Sequence, residues 1–290
     1  MRRRAALLLV SIPLCAANVF AKEYSASGLI LEVDPAHRSV EVSCQAVPGY
    51  MDAMAMTLPV RHAEALKNLK PGMLIDFTLD VREGTSYAEE IRVRRYENTA
   101  PEPMAARQLE ILEAATASAT HPAALAIGQA VPNFTLLDQN RAKVSLSDFG
   151  GKVVAITFIY TRCPLPNFCF RMSNNFGVLD RRFADRMGKD LVLLSVTFDP
   201  EHDTPEVLSG YARTWAKDAT GWHFLTGPAA EVKGLGAEFG VTAWQDEGLM
   251  THSLHTVVID RRGHMAANLE GNEYSAKQLG DLVQALLTRD

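Results

Sequence analysis

Seven consecutive residues at positions 153–159, VVAITFI, carry no polar face. An unbroken apolar, β-branched run of this kind fits a strand covered on both sides, as in the centre of an α/β sheet. Strand-like and helix-like segments alternate around it from Gly128 onward. FTLLD, LVLLSVTFD and HTVVID are further strands, and the stretches 174–187, 205–218, 229–240 and 275–289 are helical by spacing. In the first of these Phe176, Leu179, Phe183 and Met187 recur on one face. An α/β domain over 128–290 is therefore expected, with no internal repeat.

Residues 24–97 have a different grain. SGLILEVDP, SVEVSCQA, MTLPVRH, LIDFTLDVRE and YAEEIRVRRYE are short alternating runs, separated by turn formers such as Asp34-Pro35 and Pro71-Gly72. Five short strands suit a closed all-β barrel of the OB type. Between the two units, residues 98–127 are rich in Ala and Pro and read as a partly helical linker.

The chain opens with Arg2, Arg3 and Arg4, a short apolar run and Val19-Phe20-Ala21. The pattern is that of a signal peptide over 1–21, cleaved after Ala21, and predicts a periplasmic protein. Without those three arginines the 29 basic residues fall to 26 against 34 acidic ones, a formal charge of −8. Such a balance argues against a nucleic-acid surface. Losing Cys15 leaves three cysteines, an odd number, so an exported chain retains either a free thiol or a thiol metal ligand.

Cys163 follows directly after the 153–159 strand, Cys169 comes six residues later, and a helix begins near Phe170 or Ser173. The helix N-terminus lowers the pKa of a nearby thiol, and Pro164 and Pro166 stiffen the intervening loop. His252 lies far downstream at the start of the last long strand. Two thiols and an imidazole make a redox couple or a soft-metal site; a structural disulfide is the third alternative. His255, three residues on, points to the opposite face of a strand and is left out of the site.

FIYTRCP leading to a second cysteine and Met172, SVTFDPEHDTPEVLSGYA, FLTG before a helix ending in FGV, and HSL-x-x-VVID from His252 together resemble the Sco/SenC family. These are thioredoxin-fold proteins of cytochrome oxidase assembly. The resemblance implies that Cys163, Cys169 and His252 bind one copper ion and that Asp203 lies beside the site and positions it. The family's usual pattern has three residues between the cysteines and a proline after the second. This chain has five, followed by Phe170, which changes the sulfur separation.

A second soft-ligand cluster lies upstream. Met54 and Met56, at i and i+2, share one face of a strand, Met51 sits in the preceding turn, and Cys44 lies nearby. The segment from Cys44 through Met56, with LKNLKPGMLIDFTL after it, resembles the CusF-like periplasmic copper-binding domain. In that family a histidine and the two methionines of M-x-M bind Cu(I) under an aromatic cap. By resemblance Met54 and Met56 are ligands, Cys44 stands where the histidine is expected, and Met51 stands near the aromatic position.

The expectation is an exported Cu(I) metallochaperone with a copper-acceptor partner, such as a terminal oxidase subunit near the membrane. Two tethered sites would raise the effective concentration for transfer. The rival readings are a thiol–disulfide oxidoreductase acting through Cys163 and Cys169 on a thiol partner, with Cys163 attacking, and a copper-buffering protein.

Overall fold

The computed structural model describes residues 22–82, 84–94, 124–216, 220–246 and 249–289. The expected signal peptide and most of the expected linker lie outside these residues.

The N-terminal unit contains β1 (Lys22–Asp34), β2 (Ser39–Cys44), β3 (Ala55–Pro59), β4 (Leu74–Arg82) and β5 (Thr85–Val93). All neighbouring pairs are antiparallel, in the order β3-β2-β1-β4-β5. The expected barrel closure is not found: among the described residues no ladder joins β3 to β5. Side chains bridge the gap instead. Arg61, just past β3, pairs with Glu89 on β5 and Asp80 on β4, and its guanidinium lies over the Tyr87 ring. Side-chain ion pairs tolerate a separation that a backbone ladder, with strands less than about 5 Å apart, does not.

The C-terminal unit is built on a sheet of order β10-β9-β8-β13-β14. Its strands are β8 (Val153–Ile159), β9 (Leu191–Thr197), β10 (Trp222–Leu225), β13 (His255–Ile259) and β14 (Met265–Glu270). Two small hairpins, β6 (Thr135–Leu137) with β7 (Lys143–Ser145) and β11 (Ala243–Asp246) with β12 (Leu249–His252), lie outside it. The helices are α1 (Arg171–Arg182), α2 (Pro205–Trp215), α3 (Ala229–Glu238) and α4 (Ala276–Thr288).

β8 is buried along its whole length, as the unbroken apolar run requires. It pairs in parallel with β9 and antiparallel with β13. Alternate residues feed two cores. Val153, Ala155 and Ile159 join α1, α2 and α4 on one side, and Val154, Ile156 and Phe158 join α3 on the other. Parallel neighbours need a crossover, which α1 supplies between β8 and β9 and α2 between β9 and β10.

The two units do not hang on a tether. β1 alternates between two interiors: Ile30 belongs to the N-terminal core, whereas Leu29 and Leu31, with Leu74 of β4, belong to the apolar cluster of α4 and β14. Polar contacts reinforce the seam. Ser43 Oγ donates to Asp281 at 2.6 Å, where Arg182 and Lys277 also converge, and Gln278 Nε2 donates to the Ser43 carbonyl at 3.2 Å. At the Pro71-Gly72 turn, Gly72 has φ +91°, and a Cβ there would lie 3.2 Å from Ala267 Cβ and 3.3 Å from the Asn268 backbone. Gly72→Ala is therefore expected to cost about 1–3 kcal/mol, read as a lower denaturant midpoint.

Candidate metal centre

β8 ends against Tyr160, and Thr161 then turns the chain away from the sheet. Its amide and hydroxyl both donate to Asp203, at 3.0 and 2.5 Å, and the Thr197 hydroxyl donates to the same carboxylate at 2.6 Å. Asp203 is fully buried. It ties the end of β8 to the end of β9 and to the turn before α2, and so fixes where Cys163 begins its loop. Thr204 then caps α2, with Pro205 at the first helical position.

From Pro166 to Phe170 the chain makes a wide π-type turn, kinked at Phe168, that runs straight into α1. Cys169 is carried in this turn and is buried, whereas Cys163 is half-buried and Phe170 is exposed. The described cysteines, Cys44, Cys163 and Cys169, are all free thiols.

His252 comes from the end of β12, 5 % exposed. Its ring packs against Phe198 (centroids 4.2 Å apart), with Tyr160 and Phe168 edge-on. Nδ1 lies 3.0 Å from the Ser253 carbonyl. A carbonyl can only accept, so Nδ1 carries a proton, and Nε2 is the ring atom turned toward the thiols. Nε2 lies 3.9 Å from Cys169 Sγ. A backbone partner on one ring nitrogen is how proteins orient the other toward a metal.

The two thiols are electrostatically unequal. A hydrogen bond from Cys169, helped by one from His252 and by backbone hydrogen bonds at Leu165 and Cys169, lowers the Cys163 pKa from 9.0 to about 4 against the opposing effect of burial. Burial, and then the neighbouring Cys163 thiolate, push Cys169 well above 9.0. The neighbouring thiol, not the helix N-terminus, is thus the leading cause of the depression. Among the described residues, no three Cys, His, Asp or Glu side chains converge on one metal-sized point. Cys163 Sγ is turned toward the Leu165 carbonyl, 3.8 Å away. One thiolate, one buried thiol and one imidazole nonetheless suit a soft ion, given a side-chain rotation at Cys163 and the loss of any proton that Nε2 shares with it.

In the N-terminal sheet, Met56 pairs with Val42, and the Cys44 amide donates to the Met54 carbonyl at 2.9 Å. That register puts Cys44, Met54 and Met56 on one face. Cys44 is buried in the core, and burial raises its pKa to about 12. Met51 and Met56 pack against the same core, whereas Met54 is 48 % exposed. Tyr50, in the turn before Met51, stacks on Tyr24 at 4.4 Å.

The sequence reading did not single out Thr161, Thr197, Phe198 or the Ser253 carbonyl. The first, two residues before Cys163 in the TRCP segment, was the one with a signal, because a short hydroxyl side chain beside a strand end often caps or braces a turn. Met172 is a core residue: its sulfur accepts from the Tyr274 hydroxyl at 3.2 Å.

Residues 124–287 match the family model described as SCO1/SenC, and residues 23–93 match that of the copper binding periplasmic protein CusF. An SCO2-like protein of Rickettsia typhi is 30 % identical over 146 residues, which is 47 % of this chain and 66 % of that protein. An SCO1 protein homolog of Bacillus subtilis is 32 % identical over 98 residues, covering 33 % of this chain and 49 % of the relative. The chain thus spans about half to two thirds of the length of these relatives. A solved SCO1/SenC family lipoprotein from Bacillus anthracis, 22 % identical, shares the fold with a TM-score of 0.50 over 55 % of this chain and 95 % of its own. With more than half of its length matched, the chain belongs to the SCO1/SenC family.

Proposed function

We propose that this protein is an exported Cu(I) metallochaperone, with an N-terminal copper-binding unit of OB-like type (24–97) and a Sco-type unit (128–290). Copper is its cargo, held for an acceptor such as the copper centre of a terminal oxidase. The observation that carries this reading is the gathering of the Cys163 thiolate, the Cys169 thiol and His252 Nε2 at one end of the sheet, one side-chain rotation short of a common point. Cys163, being half-buried, is the ligand that an incoming thiolate or thioether can displace first. Cys169 and His252 stay anchored in the interior. The match of residues 23–93 to a copper-binding family supports a second site at Met54 and Met56, with Cys44 and Met51 around them.

The inequality of the thiols favours a second reading, disulfide reduction. The Cys163 thiolate would attack a partner disulfide, forming a mixed disulfide and releasing one partner thiolate. Cys169, giving up its proton, would then attack Cys163 Sγ and release the second. The partner gains two electrons, the enzyme ends as the Cys163–Cys169 disulfide, and an external dithiol must restore it.

Anaerobic titration of the reduced mature protein with Cu(I) against a competing chelator tests the proposal. Two sites are expected, one lost in Cys163→Ala/Cys169→Ala and the other in Met54→Leu/Met56→Leu. Each lost site should weaken binding at least about a hundredfold, since each removes two soft ligands. The methionine variant should keep its stability within about 1.5 kcal/mol, because leucine conserves volume. Only trace uptake by the unmodified protein would sink the chaperone reading. Uptake at the methionine site alone would assign the dithiol to redox work.

A further inference from the structure

The segment Gly271–Gln278 touches both halves of the dithiol site and the N-terminal unit. Toward the dithiol, Asn272 Nδ2 donates to the carbonyl of Asn167, inside the loop between Cys163 and Cys169. Arg171, two residues after Cys169, donates to the Tyr274 carbonyl at 3.4 Å. The Gly271 amide donates to the carbonyl of Leu254 at 2.8 Å, two residues beyond His252. Toward the N-terminal unit, Glu273 pairs with Arg94 at 3.6 Å and Gln278 holds the Ser43 carbonyl. Between these faces Tyr274 is buried, with its hydroxyl against Thr256 and Met172.

The loop has particular need of outside support. Pro164 and Pro166 carry no N–H, so two of its residues have no backbone hydrogen to give to a neighbouring strand or turn. Gln278 works at both ends: its Oε1 accepts from the Ser275 amide to cap α4, and its Nε2 reaches across the seam to Ser43.

We propose that Asn272 is a positioning residue for the dithiol loop, and that docking of the N-terminal sheet on Glu273 and Gln278 sets where Asn272 stands. The N-terminal unit is then part of the support of the C-terminal site, in addition to any copper it carries itself. The inference rests on the reading of Cys163, Cys169 and His252 as the working site.

The test uses the full mature chain and two readouts: amide hydrogen exchange over residues 163–171 by mass spectrometry, and Cu(I) affinity by chelator competition. The variants are Asn272→Ala on the near side, Arg94→Ala/Gln278→Glu on the far side, the glutamate keeping the cap on Ser275 while losing the donor to the Ser43 carbonyl, and Arg94→Lys as the conservative rescue. Near-side and far-side changes are both expected to speed exchange of the loop and weaken copper binding about three- to tenfold, with Arg94→Lys close to the unmodified protein. If the double variant does not fold, Arg94→Ala alone, which removes the pair with Glu273, is read the same way. Far-side variants with unchanged loop exchange and affinity would overturn the coupling, and an unchanged Asn272→Ala would overturn the positioning role. If the unmodified dithiol binds no copper, the chaperone reading fails, and the exchange measurement still decides the coupling.

Discussion

Alkylation of Cys163 in the reduced, metal-free protein is expected to proceed at a nearly constant rate from about pH 6 to about pH 8. An ordinary thiol, with a pKa of about 8.5, gains close to a hundredfold in thiolate over that interval, and its rate follows. Cys163, lowered to about 4, is ionised throughout. Its intrinsic nucleophilicity is lower because its basicity is lower, so flatness rather than raw speed is the signature. Cys169, buried and held protonated, should remain unlabelled until the chain is unfolded. Mass-spectrometric counting of modified cysteines across the pH series reads both features. A Cys163 rate climbing about tenfold per pH unit would show an ordinary thiol and remove the basis for the redox reading.

The same shifts set how stability depends on pH. Cys163 has a depressed pKa in the folded chain, so between about 4 and 9 the unfolded state binds more protons and stability rises with pH. Its contribution is complete above about 9 and is lost as pH falls toward 4. Cys169 acts in the opposite sense: raised by burial, it contributes below its ordinary 9.0 and loses that contribution as pH climbs higher.

The largest loss of stability is expected from Asp203→Ala. Its buried carboxylate accepts from the Thr161 amide, the Thr161 hydroxyl and the Thr197 hydroxyl, and removal leaves three donors facing a cavity. Breaking a buried charged network from one side costs about 3–5 kcal/mol. At about 2–4 °C per kcal/mol for a domain of this size, the melting temperature should fall by roughly 10 °C. Asp203→Asn keeps the shape and one accepting oxygen and should lose about half as much. Because Thr161 precedes Cys163 by two residues, the alanine variant should also bind copper at the dithiol more weakly. A melting temperature within about 2 °C of the unmodified protein would show that Asp203 does not brace the loop.

Much of this architecture was legible because it rests on local pattern. The 153–159 run, the 191–197 strand and the amphipathic spacing of Phe176 and Leu179 each state their environment in the sequence. Weaker signals were lost. β10 has only four residues, β14 (MAANLE) carries alanine and glutamate suited to a helix, and β7 has only three residues. Their conformation comes from neighbouring strands, not from propensity. The site divides the same way. Cys163, Cys169 and His252 declare themselves by chemistry, and the structure sets Cys169 Sγ 3.9 Å from His252 Nε2 with Cys163 turned toward the Leu165 carbonyl. The bracing by Thr197, the ring orientation set by Ser253 and the reach of Asn272 depend on contacts between residues far apart in the chain. The docked seam was invisible for a further reason: the alternating run SGLILEVD gives no indication of what covers each side of the strand.

That alternation ties the solubility of each half to the presence of the other. On β1 every residue from Leu29 to Leu31 answers to one core or the other, leaving no side free to drift. A chain carrying either half alone would present Leu29, Leu31 and Leu74, or the α4 surface that receives them, to water, and would need polar residues there to remain soluble. The pairing thus rests on the leucines of the contact as much as on the peptide that links the halves.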